Sequence, residues 1–323
     1  MMPLVQECRY QQASRNLFLL SQFDEVCRSF SRETIEFMPL KGIAFLGTLY
    51  DDFSRRFIGD MDILVKPCDC TRAVSLLTAL GYVPAGFCFD PRRPCSMYLN
   101  SAALAAPGEI QYTLHLHWHL LNSTWPMFMF RVDMQELWRG SRHSPGVPYR
   151  IMDPHHLLVY LCLHAFNHGF DGRHLVEDIL RANNFYRGSL SAERVAQVAG
   201  AWNARLPVFM GLSLAALQAP DDEDLRRIRG LVAPGDMSRG AQGHFDSLMR
   251  TGKAGEIAMA LFFLEILAQP KQKIKFILLS LFPPLASSNG ITWGKACMRL
   301  VSFAARLAGG FLRRTTSFLL SVC

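Results

Sequence analysis

R-R-F-I-G-D-M-D-I-L-V, residues 55–65, places two aspartates at the start of a segment that becomes fully apolar, as a strand entering a core does. Asp60 and Asp62 are two residues apart, so on a β-strand their side chains lie on the same face. Two such carboxylates can share a hard divalent cation such as Mg²⁺, which prefers oxygen ligands. Taken alone, a D-x-D pattern is also typical of exposed carboxylates at a strand edge, so its neighbours decide the interpretation.

The segment before this strand carries groups suited to phosphate. Residues 35–40 predict a short strand, and Lys41 and Gly42 open an apolar periodic segment that predicts a helix ending near Tyr50. A glycine at a helix start lets backbone N–H groups approach phosphate oxygens. Lys41 and Arg56 are placed to neutralise phosphate charge, although an arginine near an acidic strand is about as often a structural ion-pair partner.

Downstream of the aspartates, helices and strands continue to alternate. Residues 71–80 predict a helix, and residues 82–89 and 97–104 predict two strands with a turn between them. Residues 109–120 alternate apolar and polar side chains, which predicts a further strand. Together with a predicted helix over residues 11–30, this pattern indicates an α+β region built on a mixed or antiparallel sheet.

Three histidines, His115, His117 and His119, lie on the polar face of the last predicted strand. Alternating histidines suggest zinc, but same-face neighbours on a strand are about 7 Å apart, so only adjacent ones could share an ion. The favoured alternative is a structural His117, hydrogen-bonded beside Trp118.

Beyond Pro154 apolar residues recur at helical spacing throughout, which predicts an all-α region. The predicted helices cover residues 157–166, 175–185, 192–202, 208–217, 225–232 and 257–267, with a loop over 230–243. His164 and His168 are four residues apart and share a helix face, with Glu177 and Asp178 on the next helix. This set is compatible with a metal site, an acceptor cleft or an interhelical hydrogen-bond network.

Composition narrows the class of protein. A chain of 323 residues that is 50% apolar and 19% charged has room for about two domains, which excludes a disordered chain and a disulfide-stabilised miniprotein. Its nine cysteines form an odd set without a C-x-x-C pair, which favours a reducing cytosol. The N-terminus lacks the pattern of a secretion signal, and no segment predicts a transmembrane helix, so the expected location is cytoplasmic.

The net charge of +7 lies in the C-terminal part of the chain. From residue 266 onward there are eight Lys or Arg and no Asp or Glu, whereas the rest of the chain is close to neutral. Residues 294–320 alternate basic and apolar side chains, which suits an amphipathic helix on an acidic membrane surface, a protein partner or nucleic acid. The simpler interpretation is a helix packed on its own domain, with a solvated basic face. No motif predicts specific nucleic-acid binding.

The order of these segments resembles the DNA polymerase beta-like nucleotidyltransferase superfamily, in particular its bacterial branch of uncharacterised nucleotidyltransferase-family proteins. The resemblance rests on L-K-G-I-A-F-L-G-T-L-Y (40–50), R-R-F-I-G-D-M-D-I-L-V (55–65), L-H-L-H-W-H-L (114–120), and H-A-F-N-H-G-F (164–170) with E-D-I-L (177–180) after it. It covers most of the chain and is most specific over residues 36–121.

The resemblance implies a nucleotidyltransferase-like mixed sheet with flanking helices, followed by a helical domain that helps to bind the acceptor. It implies that Asp60 and Asp62 bind Mg²⁺ and act in catalysis, and that Gly42 contacts the triphosphate, with ATP the first candidate. Lys41 and Arg56 would neutralise its charge. The implied organisation is an N-terminal helical segment (1–30), a nucleotidyltransferase-like domain (31–150), a helical domain (151–270) and a basic apolar helical tail (271–323).

The sequence departs from the family pattern at one position. A third carboxylate is expected two residues before the L-H-W histidine, and His115 stands there. Neutral imidazole can ligate a divalent metal or act as a general base near pH 7, but it is a poorer Mg²⁺ ligand than carboxylate. Glu109 has the same strand parity but lies about 20 Å away along an extended strand, so it is a poor substitute.

Three functions follow as hypotheses. The first is Mg²⁺-dependent transfer of a nucleotidyl group from a nucleoside triphosphate to an unidentified small molecule, peptide or protein, with His115 as a weak base or ligand and with His164, His168 and Asp178 on the acceptor side. The second is a catalytically degenerate module that binds a nucleotide or a partner protein. The third is an adaptor that binds a membrane or nucleic acid through the basic tail.

Overall fold

The structure is a computed structural model that describes residues 3–85, 100–121, 127–235, 237–254, 256–267 and 269–281. Its strands are β1 (Phe37–Leu40), β2 (Asp60–Val65), β3 (Val83–Pro84), β4 (Ser101–Ala105), β5 (Thr113–His117), β6 (Arg142–His143) and β7 (Arg150–Ile151). Its α-helices are α1 (Pro3–Arg32), α2 (Lys41–Phe45), α3 (Cys70–Ala79), α4 (Met134–Gly140), α5 (Pro154–Asn167), α6 (Arg173–Phe185), α7 (Ala192–Ala201), α8 (Arg205–Gln218), α9 (Glu223–Val232), α10 (Arg239–Thr251), α11 (Glu256–Ile266) and α12 (Pro270–Leu281).

Five strands form one mixed sheet in the order β1-β2-β5-β4-β3. β2 pairs antiparallel with β1 and parallel with β5, and β4 pairs antiparallel with both β5 and β3. The predicted mixed sheet with flanking helices and a helical C-terminal region is therefore confirmed. The only parallel pair of this sheet, β2 with β5, joins the two segments that carry the predicted site.

α1 packs against the edge strand β1. Its apolar residues recur at helical spacing, so they lie on one face of the helix. Leu19, Phe23, Val26 and Phe30 are all buried. The rings of Phe23 and Phe30 contact Phe37 on β1 edge-on, with centroids 6.5 and 5.3 Å apart. The helix begins at Pro3, earlier than the residue 11 predicted from periodicity.

The polar face of β5 exists because its side chains alternate. Leu114 and Leu116 are fully buried on one face, whereas Thr113 and His115 on the other face are half-buried and His117 on that face is buried. β2 is buried along nearly its whole length, with Asp60 alone half-buried at its start. The carboxylates and imidazoles are thus held on well-packed strands, which position side chains more precisely than loops do.

Several predicted boundaries are wrong. α2 ends at Phe45 and not near Tyr50, because Gly47 takes a left-handed φ of +73° and its N–H donates to the Tyr50 carbonyl in a turn. β5 covers only Thr113–His117 of the predicted 109–120, since Gly108 at φ +85° turns the chain just before Glu109. Glu109 therefore does not lie on the strand.

The predicted loop over residues 230–243 is also partly wrong. α10 begins at Arg239 with Ser238 as its N-cap, whose Oγ accepts a hydrogen bond from the Ala241 N–H at 3.1 Å. Only part of the two strands predicted over 82–89 and 97–104 is described: β3 and β4 confirm strands there, and residues 86–99 lie outside the described residues.

The helical region is organised around α5, which packs against α6, α7 and α8. Asp153 caps this helix by accepting from the backbone N–H groups of His155 and His156, and Pro154 occupies its first turn. Most α5 residues are buried, including Leu158, so the few polar side chains on this helix stand out.

None of the helices in the described part of the chain is long and apolar enough to cross a membrane. α12 presents Lys271, Lys273 and Lys275 as exposed side chains. The amphipathic helix predicted over residues 294–320 lies outside the described residues.

Candidate functional site

The predicted site forms where β2 and β5 run parallel. Their register places Asp62 opposite His115, so the two side chains leave the sheet on one face. The Asp62 carboxylate is buried, with Oδ1 2.7 Å from His117 Nε2 and 3.7 Å from His115 Nδ1. Because an ionised carboxylate only accepts hydrogen bonds, the His117 Nε2–H donates to Asp62.

Lys41 completes this cluster from the other side of Asp62. The β1–β2 pairing places Leu40 opposite Asp62, and the next residue, Lys41, brings its Nζ to 3.1 Å from Asp62 Oδ2. Lys41 has a left-handed φ of +49°, which a lysine rarely adopts and which costs about 1 kcal/mol or more. Backbone strain of this kind is typical of functional sites.

The charges in this cluster stabilise one another. Burial raises the pKa of Asp62, but the Lys41 charge and the hydrogen bond from His117 outweigh it and hold that pKa well below its usual range. Burial lowers the pKa of Lys41, but the charges of Asp62 and Asp60 and the hydrogen bond to Asp62 outweigh it and raise that pKa. Asp62 is therefore an anion and Lys41 a cation at neutral pH.

Asp62, His115 and His117 form the one group of three metal-ligating side chains found among the described residues. Their donor atoms all lie within 4.8 Å of one another. The set offers one carboxylate oxygen and two imidazole nitrogens, a combination that fits a divalent metal. It differs from the all-oxygen set that two aspartates predict for Mg²⁺.

Asp60 lies beside this group but outside it. It is half-buried and stands opposite Thr113 in the strand register. Its charge acts on the pKa values of Lys41, His168 and His174. The predicted pairing of Asp60 with Asp62 on one face is consistent with this placement.

A polar stripe on α5 faces the sheet cluster. Tyr160, His164 and His168 follow one another at intervals of four residues, with ring centroids 6.3 and 4.6 Å apart. Burial and the Lys41 charge lower the pKa of His164 well below its ordinary value, and they lower the pKa of His168 too. Both imidazoles are thus neutral at pH 7 and are weaker bases than a solvent-exposed histidine.

Arg56 and Asp178 bind each other. The Arg56 Nε and Nη2 donate to the two Asp178 carboxylate oxygens at 3.1 and 3.0 Å, and Tyr50 Oη donates to Asp178 at 2.6 Å. Arg56 and Asp178 are both buried. This arrangement favours the structural ion pair that the sequence left open for Arg56, and it ties the segment before β2 to α6.

The remaining predicted residues have other surroundings. A side chain at Gly42 would meet Ile58 at 3.4 Å, an ordinary contact distance. Glu177 pairs with Arg181 at 2.9 Å within α6. His119 lies beyond the end of β5, and its Nδ1 contacts the backbone of Leu121, so it does not join the metal-ligating group.

Sequence reasoning missed several residues around the site. It favoured a structural, hydrogen-bonded His117 without predicting its partner, which is Asp62. Tyr160 has a detectable signal, its spacing of four from His164, but His174 and Asn100 have none. Asn100 Nδ2 lies 3.4 Å from His117 Nδ1 only because β4 brings it there.

The mixed sheet, with acidic and imidazole side chains on a parallel strand pair and a helical region facing them, defines a nucleotidyltransferase-like protein. A family model described as uncharacterised nucleotidyltransferase matches residues 4–219, about two thirds of the chain. The chain belongs to this nucleotidyltransferase family. A search of curated proteins found no match.

Proposed function

We propose that this protein catalyses divalent-metal-dependent transfer of a nucleotidyl group from a nucleoside triphosphate, with ATP as the first substrate to test. The acceptor would be a small molecule, a peptide or a protein. The observation that carries the proposal is the register of Asp62 opposite His115, with Lys41 protonated beside them. Membership of the nucleotidyltransferase family supports the reaction class.

In the proposed reaction, a nucleophilic oxygen or nitrogen of the acceptor attacks the α-phosphorus, and pyrophosphate leaves with the bonding electrons. Asp62 and His115 would hold the divalent metal together with His117, and Asp60 would add a second carboxylate. The metal, when bound, neutralises phosphate charge and polarises the phosphoryl group. The two aspartates predict Mg²⁺, although the donor set also includes two imidazoles.

The chain's own groups can position substrate and move the proton. Lys41 presents a fixed ammonium that can bind a phosphate oxygen. Of the two rings beside Asp62, His115 is the more accessible, since 34% of its side chain is exposed. It would serve either as a ligand of the metal or as the weak base that takes the proton of the acceptor, since one ring does not fill both roles at once. His164 and His168 would line the acceptor side of the cleft.

Arg56, Asp178 and Gly42 are assigned more indirect roles. Because Arg56 is buried against Asp178, we assign the pair to positioning the residues that lead into Asp60. Gly42 would place the backbone after Lys41 close to the triphosphate, as the family resemblance implies.

A second candidate is a degenerate module that binds nucleotide without transferring it. The observation that favours it is His115, which stands where the family resemblance predicts a carboxylate. His115→Asp separates the two, because a gain of pyrophosphate release indicates decayed catalysis and a loss indicates a working histidine.

Calorimetric titration with a non-hydrolysable triphosphate tests the proposal, with Mg²⁺, with Mn²⁺ and without metal. We expect metal-dependent binding that disappears in Asp60→Asn/Asp62→Asn and persists in Asp221→Asn, which changes an exposed aspartate of the helical region. Pyrophosphate release with candidate acceptors should show the same pattern. Absence of nucleotide binding by folded wild-type protein would contradict the proposal.

A further inference from the structure

The metal-ligating group has nearly the spacing of a preformed transition-metal site. Around an ion with ligand bonds of 2.0–2.1 Å, tetrahedral donor atoms lie about 3.3 Å apart. Asp62 Oδ1 lies 2.7 Å from His117 Nε2 and 3.7 Å from His115 Nδ1, on either side of that value. Metal binding would replace the hydrogen bond from His117 Nε2–H to Asp62, with the ring proton moving to Nδ1 or to solvent, and small side-chain rotations would then bring the three donors onto one ion.

The donor atoms of this group are not the set that a hard cation prefers. Asp62 Oδ2 is already paired with the Lys41 ammonium, so the group presents one carboxylate oxygen, Oδ1, beside two imidazoles. Mg²⁺ binding in proteins depends on carboxylates, waters and phosphate oxygens. Imidazole nitrogen instead bonds well to Mn²⁺, Co²⁺ and Zn²⁺ and keeps that capacity when neutral.

The group is accessible to solvent at His115 and enclosed by protein at Asp62 and His117. Asp62 and His117 are buried, while His115 is partly exposed and leaves a path for an ion. Three protein ligands with a free position are typical of catalytic metal sites. Asn100 Nδ2 lies 3.4 Å from the other ring nitrogen of His117, Nδ1.

We propose that Asp62, His115 and His117 bind a divalent first-row transition metal through one oxygen and two nitrogens, and that His115 shifts the metal preference of this site away from Mg²⁺. Metal binding by the group does not depend on nucleotide. Its use in nucleotidyl transfer rests on the proposed function.

The ratio of Mn²⁺ affinity to Mg²⁺ affinity tests this proposal better than the affinity for one metal does. Almost any protein site binds later transition metals more tightly than earlier ones, so tight binding alone would not identify this site. Mn²⁺ is the probe of choice, since it does not favour the exposed thiols of Cys8 and Cys68. The full chain is first freed of metal with a chelator and then titrated with Mn²⁺, and the free Mn²⁺ is measured by electron paramagnetic resonance. The Mg²⁺ affinity is measured by its competition with bound Mn²⁺. His115→Asp is expected to lower the ratio of Mn²⁺ to Mg²⁺ affinity at least about 10-fold.

The ligands can be observed directly. Electron spin-echo modulation of bound Mn²⁺ should show coupling to imidazole ¹⁴N in the wild-type protein, with less coupling in His115→Ala and in His117→Ala. His143→Ala is the matched control, because this histidine is exposed on β6 and lies outside the group. Since His115 is partly exposed, its variants should fold even if the His117 variant does not, and circular dichroism checks this.

Two results would overturn the proposal: bound Mn²⁺ without ¹⁴N coupling, or an affinity ratio unchanged by His115→Asp. Bound Mn²⁺ without ¹⁴N coupling would indicate an all-oxygen site, and an unchanged affinity ratio would indicate that His115 is not a ligand. These titrations contain no nucleotide, so failure of the proposed transfer reaction would leave a positive metal result standing. A protein that binds nucleotide with Mg²⁺ alone and shows no nitrogen ligand would reject this inference while supporting the transfer reaction.

Discussion

At the scale of single residues, the Asp62 carboxylate joins three partners, and its removal leaves Lys41 as a buried, unpaired charge. Breaking a buried ion pair by removing one partner costs about 3 kcal/mol or more. Asp62→Asn should lower the free energy of unfolding by that amount in urea. Asp60→Asn, which changes a half-buried group, should cost much less.

The double variant Asp62→Asn/Lys41→Met isolates the pair. It should recover much of the loss, because no ammonium is then left buried without a counter-charge. An additive double variant would show that the two groups do not stabilise one another. The wild-type advantage over Asp62→Asn should also shrink below pH 4: the folded pKa of Asp62 is depressed, so its contribution is present above the unfolded value of about 3.9 and is lost as pH falls.

At the scale of elements, one ion pair ties the segment that enters β2 to α6. Asp178→Asn would leave the buried Arg56 guanidinium without its counter-ion and would weaken the bond from Tyr50. We expect a loss of roughly 3 kcal/mol in unfolding free energy, measured by urea denaturation.

The same pair tests the role of Arg56. Replacing both partners, Arg56→Met/Asp178→Leu, should be less destabilising than Asp178→Asn alone. If the double variant binds triphosphate as the wild-type protein does, Arg56 acts through structure. A large rise in the triphosphate dissociation constant at unchanged stability would instead assign Arg56 to direct phosphate binding.

At the scale of the whole molecule, buried histidines make the fold sensitive to acid. His156 is buried and stacks on Trp202 with centroids 5.4 Å apart, and its two ring nitrogens have no hydrogen-bond partner among the described residues. Burial lowers its pKa, so below about pH 6.5 the unfolded chain binds a proton that the folded chain resists. Stability from this residue is complete above that pH and is lost as pH falls.

His156→Phe keeps a ring on Trp202 and removes the titrating group. We expect this variant to lose less stability between pH 7.5 and 5.5 than the wild-type protein, as measured by thermal or urea unfolding. Parallel pH curves for wild type and His156→Phe would contradict this account.

Local patterns were sufficient for much of the fold. Alternation along residues 60–65 and 113–117 predicted which side chains share a face, because successive strand residues point in opposite directions regardless of context. The change at Pro154 to helical spacing predicted the helical region for the same reason. The predicted end of α2 was wrong because Gly47 adopts a left-handed conformation that turns the chain. A glycine in the sequence permits this conformation but does not require it.

The sequence by itself therefore determined the kinds of element, the faces on which Asp60, Asp62 and His115 lie, and the family that the chain resembles. Only the tertiary structure decided which groups meet. It placed His115 opposite Asp62 through strand register, directed Arg56 to Asp178, 122 residues away along the chain, and put His117 rather than Asp60 within hydrogen-bond distance of Asp62. Periodicity is a local property of the backbone, whereas such pairings depend on how distant segments pack to bury their apolar surfaces and satisfy their charges.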